Sequence, residues 1–480
     1  MQLASIKVRL DEIETVKFDR LFKSQSKVLM IVLVHFVLGL ITSFTPFICL
    51  LGGVVIPAIA LIEIVKVQDR NKLAGFVALY LGTFDLLLRG NNVALPWEYS
   101  KYISSLFFAI GLFYQSKHVK FNFKPIFYLV LLLPSILVLN FTLPFSEIKN
   151  SISFNLSGHL CLALSIAYFL SIRIPLQSIK SFLLAITLPM IASVGSIVTK
   201  IGSLSSITFN MQSNLQASGG FGPNQTAVLL GFGFIVIIIG IVINQNIFKN
   251  TNLNITLAMI FLGFGLFTFS RGGVAVAILD LLGLAGLGFL LKVNPKSIKR
   301  ILSLIFYISI LLVIVFVIIK VITNNSLSNR YLKTIDKKAV TGAQYDTKSD
   351  VDLSGRDKLV EIEYQIFLDN PILGIGPGGA TYHFKKVIGY SLPSHTEFSR
   401  LLSEHGLYGV GSLLFLISIV YNKYKRSSKY SKLLIFGFAF FTVASMLHAA
   451  MRIAVISYAI GLGLINIIED EPNPLESKIE

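Results

Sequence analysis

Residues 225–243 read QTAVLLGFGFIVIIIGIVI, an apolar run without a charge, long enough to cross the hydrocarbon of a bilayer as one helix. Similar runs recur along the chain. Windows of about 17 to 24 mainly apolar residues give about fourteen candidate spans. They start near Val28, Leu51, Lys72, Lys101, Lys124, Asn155, Ser181, Gln225, Asn252, Gly272, Lys299, Phe398, Lys432 and Met451. Of 480 residues 54% are hydrophobic and 14% charged, and the mean hydropathy is +0.73, values that exclude a soluble core. The expected fold class is all-α, a polytopic helical membrane protein with about fourteen transmembrane helices.

The formal net charge is +17, but its distribution argues against nucleic acid as the partner. Basic residues cluster in alternate loops. With a cytoplasmic N-terminus, about 25 Lys and Arg fall on inner segments against about six in short outer loops, as the positive-inside rule requires. Orientation in a lipid bilayer therefore accounts for the charge. The first apolar run follows a basic segment without a small-residue cleavage site, which predicts a retained helix rather than a secretory signal. Leu3, Ile6, Leu10, Ile13 and Val16 recur at helical spacing, so residues 1–27 form either a surface-lying helix or a plain tail.

The spans are interrupted once by a long polar stretch, and this divides the chain. The expected organisation is a cytoplasmic N-terminal segment at 1–27, spans one to eleven at 28–323, a large extracytoplasmic loop at 324–396, spans twelve to fourteen at 397–468, and a cytoplasmic tail at 469–480. Within the loop, Leu359, Ile362, Ile366 and Phe367 predict an amphipathic helix from about Ser354-Gly355-Arg356-Asp357 to Asn370-Pro371. The following Gly374 to Gly379 reads as a turn-rich loop rather than a phosphate cradle, since Pro377 removes an amide donor. Glu397, Arg400 and Glu404 lie three and four apart on the next helix, the spacing of a paired surface face.

Cys49 and Cys161 fall in apolar spans and read as buried free thiols. Histidines show no metal spacing, so no metal and no cofactor is expected. Arg271 stands between two apolar spans in Ser270-Arg271-Gly272-Gly273, where a cation near hydrocarbon is costly and adjacent glycines allow close approach of a large group. This favours anion binding over snorkelling to headgroups. Arg452 occupies a similar position before the last span, where snorkelling competes equally. Arg356 opens the loop helix, and together these arginines suit a phosphate or pyrophosphate. His395 lies where the loop rejoins the membrane and could accept a proton from a hydroxyl. Asp280, well inside a span, marks either a polar cavity or an interhelical bond.

Taken together, Gly219-Gly220-Phe221-Gly222-Pro223-Asn224, Ser270-Arg271-Gly272-Gly273, the segment from Ser354-Gly355-Arg356 through Asn370 to Gly376, His395, and Leu401 to Gly409 resemble the O-antigen ligase and polymerase superfamily. That resemblance implies a GT-C-like, metal-independent, inverting glycosyltransferase in the bacterial cytoplasmic membrane, with its active site on the extracytoplasmic face. Its donor would be a glycan on an undecaprenyl-pyrophosphate-like carrier, and its acceptor a glycan, lipid A core or protein. His395 and Glu397 would be catalytic; Arg271, Arg356 and Arg452 would bind pyrophosphate. The family's membrane-entry motif often reads His-Asn, whereas here Thr396 and Glu397 follow His395. Polymerisation and ligation stay open as alternatives. A lipid-linked oligosaccharide transporter or flippase is the reading from another class, and it would require distinctive charges on both sides of the membrane.

Overall fold

The computed structural model describes residues 19–117, 119, 122–139, 144–201, 215–268, 270–293, short stretches between 302 and 321, 356–389 and 392–468. The expectations for residues 1–18, most of the span near Lys299, the first part of the long loop and the C-terminal tail lie outside these residues.

The helices run in chain order as α1 (Gln25–Thr42), α2 (Phe47–Val67), α3 (Leu73–Gly82), α4 (Asp85–Gly90), α5 (Tyr99–Gln115), α6 (Lys124–Val130), α7 (Phe145–Ser171), α8 (Ile179–Ile201), α9 (Pro223–Val242), α10 (Thr251–Phe267), α11 (Arg271–Leu290), α12 (Arg356–Asp369), α13 (Gly379–Ile388), α14 (Glu397–Lys425), α15 (Lys429–Ala449) and α16 (Ala454–Gly463). Among the described residues, nine helical stretches are long and apolar enough to cross a membrane. Expected spans near Lys124, Asn252 and Met451 appear as the shorter apolar stretches Lys124–Val138, Thr251–Phe267 and Ala454–Gly463. The molecule is thus a helical, multi-pass membrane protein.

Uncharged runs become the centre because nothing in them needs water. Helix α9, which contains the opening stretch, is buried along almost its whole length, and so is α8. Around them pack α1, α10, α11 and α15, while α16 lies against α7. Close approach is built into the sequence at Gly273, where a Cβ would stand 2.5 Å from the Ala227 backbone carbon, so α11 and α9 touch backbone to backbone near Arg271. Both cysteines are free and buried.

Side-chain contacts sort the connections into two ends. At one, Asp19 meets Ser178 and Ser181, Gln25 meets Lys249, and Lys423 meets Asn466. There β1 (Arg173–Pro175) pairs in parallel with β2 (Asn466–Ile468). The other end gathers residues around 85–98, 219–224, 270–272, 394–400 and 448–454.

The amphipathic loop helix is present as α12, and it packs on α13 and α14. Helix α14 breaks at Gly406, whose φ of 59° and ψ of −140° interrupt the ladder. In an uninterrupted helix the Ser403 carbonyl would accept from the Leu407 amide. Here Ile375 N–H donates to the Ser403 carbonyl and Gly376 N–H to that of Glu404, each at 3.0 Å, while Leu407 N–H donates to Pro371 at 2.8 Å. The glycine-rich turn therefore repairs a broken helix, as backbone polar groups without water require. Those two amides are occupied, and the turn is not a phosphate cradle.

Candidate functional site

The segment that carries His395 is pinned on both flanks. Thr396 caps α14, its Oγ1 accepting the Ser399 amide at 3.2 Å, and Ser399 Oγ donates to Glu363 Oε2 on α12. Burial pushes the Glu363 carboxyl above its ordinary value, with Ser399 and the nearby Ser394 pulling the other way. On the other flank Arg452 Nη2 donates to the Pro393 carbonyl at 2.9 Å and to the Ser394 carbonyl. His395 itself is partly exposed.

Glu397 is fully buried. Its Oε2 accepts the Met451 amide at 2.8 Å, which ties the start of α14 to the turn between α15 and α16. Its Oε1 accepts from Arg400 Nη2 and lies 2.9 Å from His159 Nε2 on α7. Arg400 also donates to Asn155 Oδ1, and His159 Nδ1 meets the Tyr128 hydroxyl. Nearby, His405 Nδ1 contacts Ser135 Oγ at 2.7 Å. The expected surface face is therefore corrected. Arg400 is 6% exposed and Glu404 1%: Asn155 and His159 of α7 cover the Arg400 guanidinium, and the glycine-rich turn sits on the Glu404 carbonyl. Arg400 pairs with Glu397, and the imidazole that Glu397 bonds is that of His159.

Arg271 arrives at the same end of the bundle by a different route. Its predecessor Ser270 donates through Oγ to Asn224 Oδ1 at 3.0 Å, and Asn224 Nδ2 donates to the His448 carbonyl at 3.1 Å. A Cβ on Gly272 would lie 2.3 Å from the His448 ring. Only glycine lets the first turn of α11 sit on that imidazole, a few residues from Arg452. The two glycines that follow Arg271 thus admit two neighbouring helices. Arg271 is partly exposed. Arg356 opens α12, and its side chain lies outside the described residues.

Sequence reasoning passed over His159, Asn155 and Tyr128, which lie in apolar or mixed spans far from the loop. Only the buried partner gives them meaning. Arg89 was also missed, although Asp85 and Arg89 stand at i,i+4 and form an ion pair of 3.1 Å.

Residues 255–416 match the protein-family model described as O-antigen ligase, Wzy_C. The match includes Arg271, Arg356, His395 and Glu397 and ends before Arg452. No curated protein matches the chain. The matched domain supports the O-antigen ligase and polymerase superfamily and a ligase-like glycosyltransferase activity for this membrane protein.

Proposed function

We propose that this protein transfers a glycan from an undecaprenyl-pyrophosphate-like carrier to a sugar hydroxyl, at the extracytoplasmic face of the bacterial cytoplasmic membrane. The observation that supports it most is the setting of His395: a partly exposed imidazole on a turn fixed by Arg452 and by the cap of α14, at the end of the bundle where Arg271 begins α11. A fixed imidazole beside arginine is a base placed next to an anion clamp.

In this reading the His395 imidazole takes the proton of the acceptor hydroxyl as that oxygen attacks the anomeric carbon. The bond from that carbon to the pyrophosphate oxygen breaks in the same displacement, inverting the configuration. Its electron pair leaves with the lipid pyrophosphate, where Arg271 and Arg356 stabilise the growing negative charge. Glu397 acts as a positioning residue, since its carboxylate is buried on Arg400, His159 and the Met451 amide. Arg452 orients the His395 turn through two carbonyls and brings its positive charge to the pyrophosphate side.

The test is complementation of a deletion strain. His395→Ala should insert normally, leave lipid-linked glycan accumulating and restore no surface glycan. Undiminished glycan would remove the histidine from the mechanism. The acceptor decides between polymerisation and ligation: single repeat units left on the acceptor indicate a missing polymerase, and free polymer on the carrier a missing ligase.

A further inference from the structure

The motif Gly219 to Asn224 is only partly used by the site, because Asn224 joins it and Phe221 does not. Phe221 is buried, and its ring lies 5.5 Å from the Arg89 guanidinium carbon. The same guanidinium carbon lies 4.7 Å from the centre of the Trp97 ring, and the two aromatic rings touch each other in a tilted arrangement with centroids 6.3 Å apart. Arg89 is only 8% exposed, whereas Trp97 is 59% exposed. An exposed indole is commonly a membrane-interface anchor. This one instead stacks on a buried cation that belongs to the site, since Arg89 Nη1 donates to the Arg452 carbonyl at 3.2 Å. Arg452 in turn holds Pro393 and Ser394, just before His395.

Charge decides what could rest there. Arg89 Nε pairs with Asp85 Oδ1 at 3.1 Å and Nη2 faces Glu98 Oε2 at 3.7 Å, while Lys101 Nζ pairs with Glu98 at 2.5 Å. These four formal charges cancel, so the cluster has no excess to attract an anion. An open cleft of about 50 Å³ beside the indole is lined by Asp85, Arg89, Asn92, Trp97 and Tyr99. That is room for a ring substituent, with the ring itself lying on the aromatic face. A flat aromatic surface edged by carboxylate, guanidinium and amide fits a neutral pyranose: its C–H face packs on the indole and its hydroxyls meet polar groups.

We propose that Trp97 and Arg89 form a saccharide subsite, which holds one neutral pyranose of the glycan next to the His395 turn. The proposal rests on the glycosyl-transfer reading for its ligand, but its binding test does not need turnover. Trp97 is the sole tryptophan of the chain, so intrinsic fluorescence of the detergent-solubilised protein reports this position alone. The probe is the oligosaccharide repeat released by mild acid from the native strain's own surface glycan. It should change the emission saturably, and inorganic pyrophosphate should not. In transfer assays Trp97→Ala should raise KM about ten-fold, and Trp97→Phe much less, the loss expected for one stacked ring. A rise for the acceptor alone assigns the bound sugar to the acceptor, and a rise for the lipid-linked glycan alone assigns it to the donor. Emission unmoved by the oligosaccharide overturns the subsite and identifies an interface anchor, while an inactive His395→Ala still upholds the transferase reading. Saturable binding in a protein whose transfer survives His395→Ala would keep the subsite and remove the base.

Discussion

Glu397 Oε1 and His159 Nε2 meet at 2.9 Å, joining the first turn of α14 to the middle of α7. Arg400 closes on the same carboxylate, so a formal ion pair and an imidazole share one buried point. Removing one member of a buried pair leaves the other uncompensated, at a cost of about 3–5 kcal/mol. Glu397→Gln should therefore lower the thermal midpoint of the purified protein sharply and reduce transfer. Arg400→Met in the Glu397→Gln background should cost far less than the two single losses added together. Additive losses in that cycle would show that the pair is not coupled.

Much of this was open to reading from the chain. Apolar length located the spans of α9, α11 and α15, helical spacing located α12, and the segment Leu401 to Gly409 stood out as a motif. What a one-dimensional pattern could not supply was the reason for that motif. Positions at helical spacing look the same whether they face water or a neighbouring span, so Arg400 and Glu404 read as a surface pair and Glu397 as a candidate for the site. Glu397 and Arg400 are buried against Asn155 and His159, about 240 residues away, and Glu404 lies beside the glycine-rich turn. The glycine-rich turn reads as a loop for a similar reason, since its use of the Ser403 and Glu404 carbonyls follows from the break at Gly406.

That break yields a second prediction. Gly406 holds φ at 59° with ψ at −140°, and a Cβ there would lie 2.5 Å from the Ile372 carbonyl oxygen. Backbone strain alone costs about 1–3 kcal/mol for a side-chain-bearing residue, and the clash adds to it. Gly406→Ala should separate the turn from α14 and expose it to proteolysis near Gly374. Gly411→Ala, with nothing within 4 Å of its Cβ, is the matched control. Equal protease resistance in the two variants would show that the repaired break does not hold the turn.

Arg271 and Arg452 should respond differently to lysine. At Arg271 the change keeps the charge and loses the bidentate fork, so KM for the lipid-linked donor should rise about ten-fold or more if it grips pyrophosphate. Near-normal kinetics would instead mark simple charge or snorkelling. At Arg452 a single terminal nitrogen, Nη2, donates to both the Pro393 and the Ser394 carbonyls, so lysine, whose ammonium sits on a flexible stem rather than a fixed plane, should loosen the His395 turn and lower kcat by about 10- to 100-fold. An Arg452→Lys enzyme with unchanged kcat and a raised donor KM would make Arg452 a pyrophosphate ligand rather than a positioning residue.

The opposite end of the bundle carries a pH signature of its own. Asp69 lies in the turn between α2 and α3, fully buried, with Oδ1 accepting the Ala74 amide at 2.8 Å and Oδ2 accepting the Tyr168 hydroxyl at 3.1 Å. Burial raises its carboxyl from the ordinary 3.8 to about 6, although Ala74, Lys72, Tyr168 and Gln115 all pull it down. A folded value above the unfolded one means that the folded state binds the extra proton. The stability this confers is complete below pH 3.8 and is lost as pH rises through about 6. The shift corresponds to something on the order of 3 kcal/mol. Thermal midpoints of the wild type should fall across that window by more than those of Asp69→Asn, whose amide does not titrate. Parallel midpoint curves for the two proteins would show that Asp69 is not the group that titrates in this window.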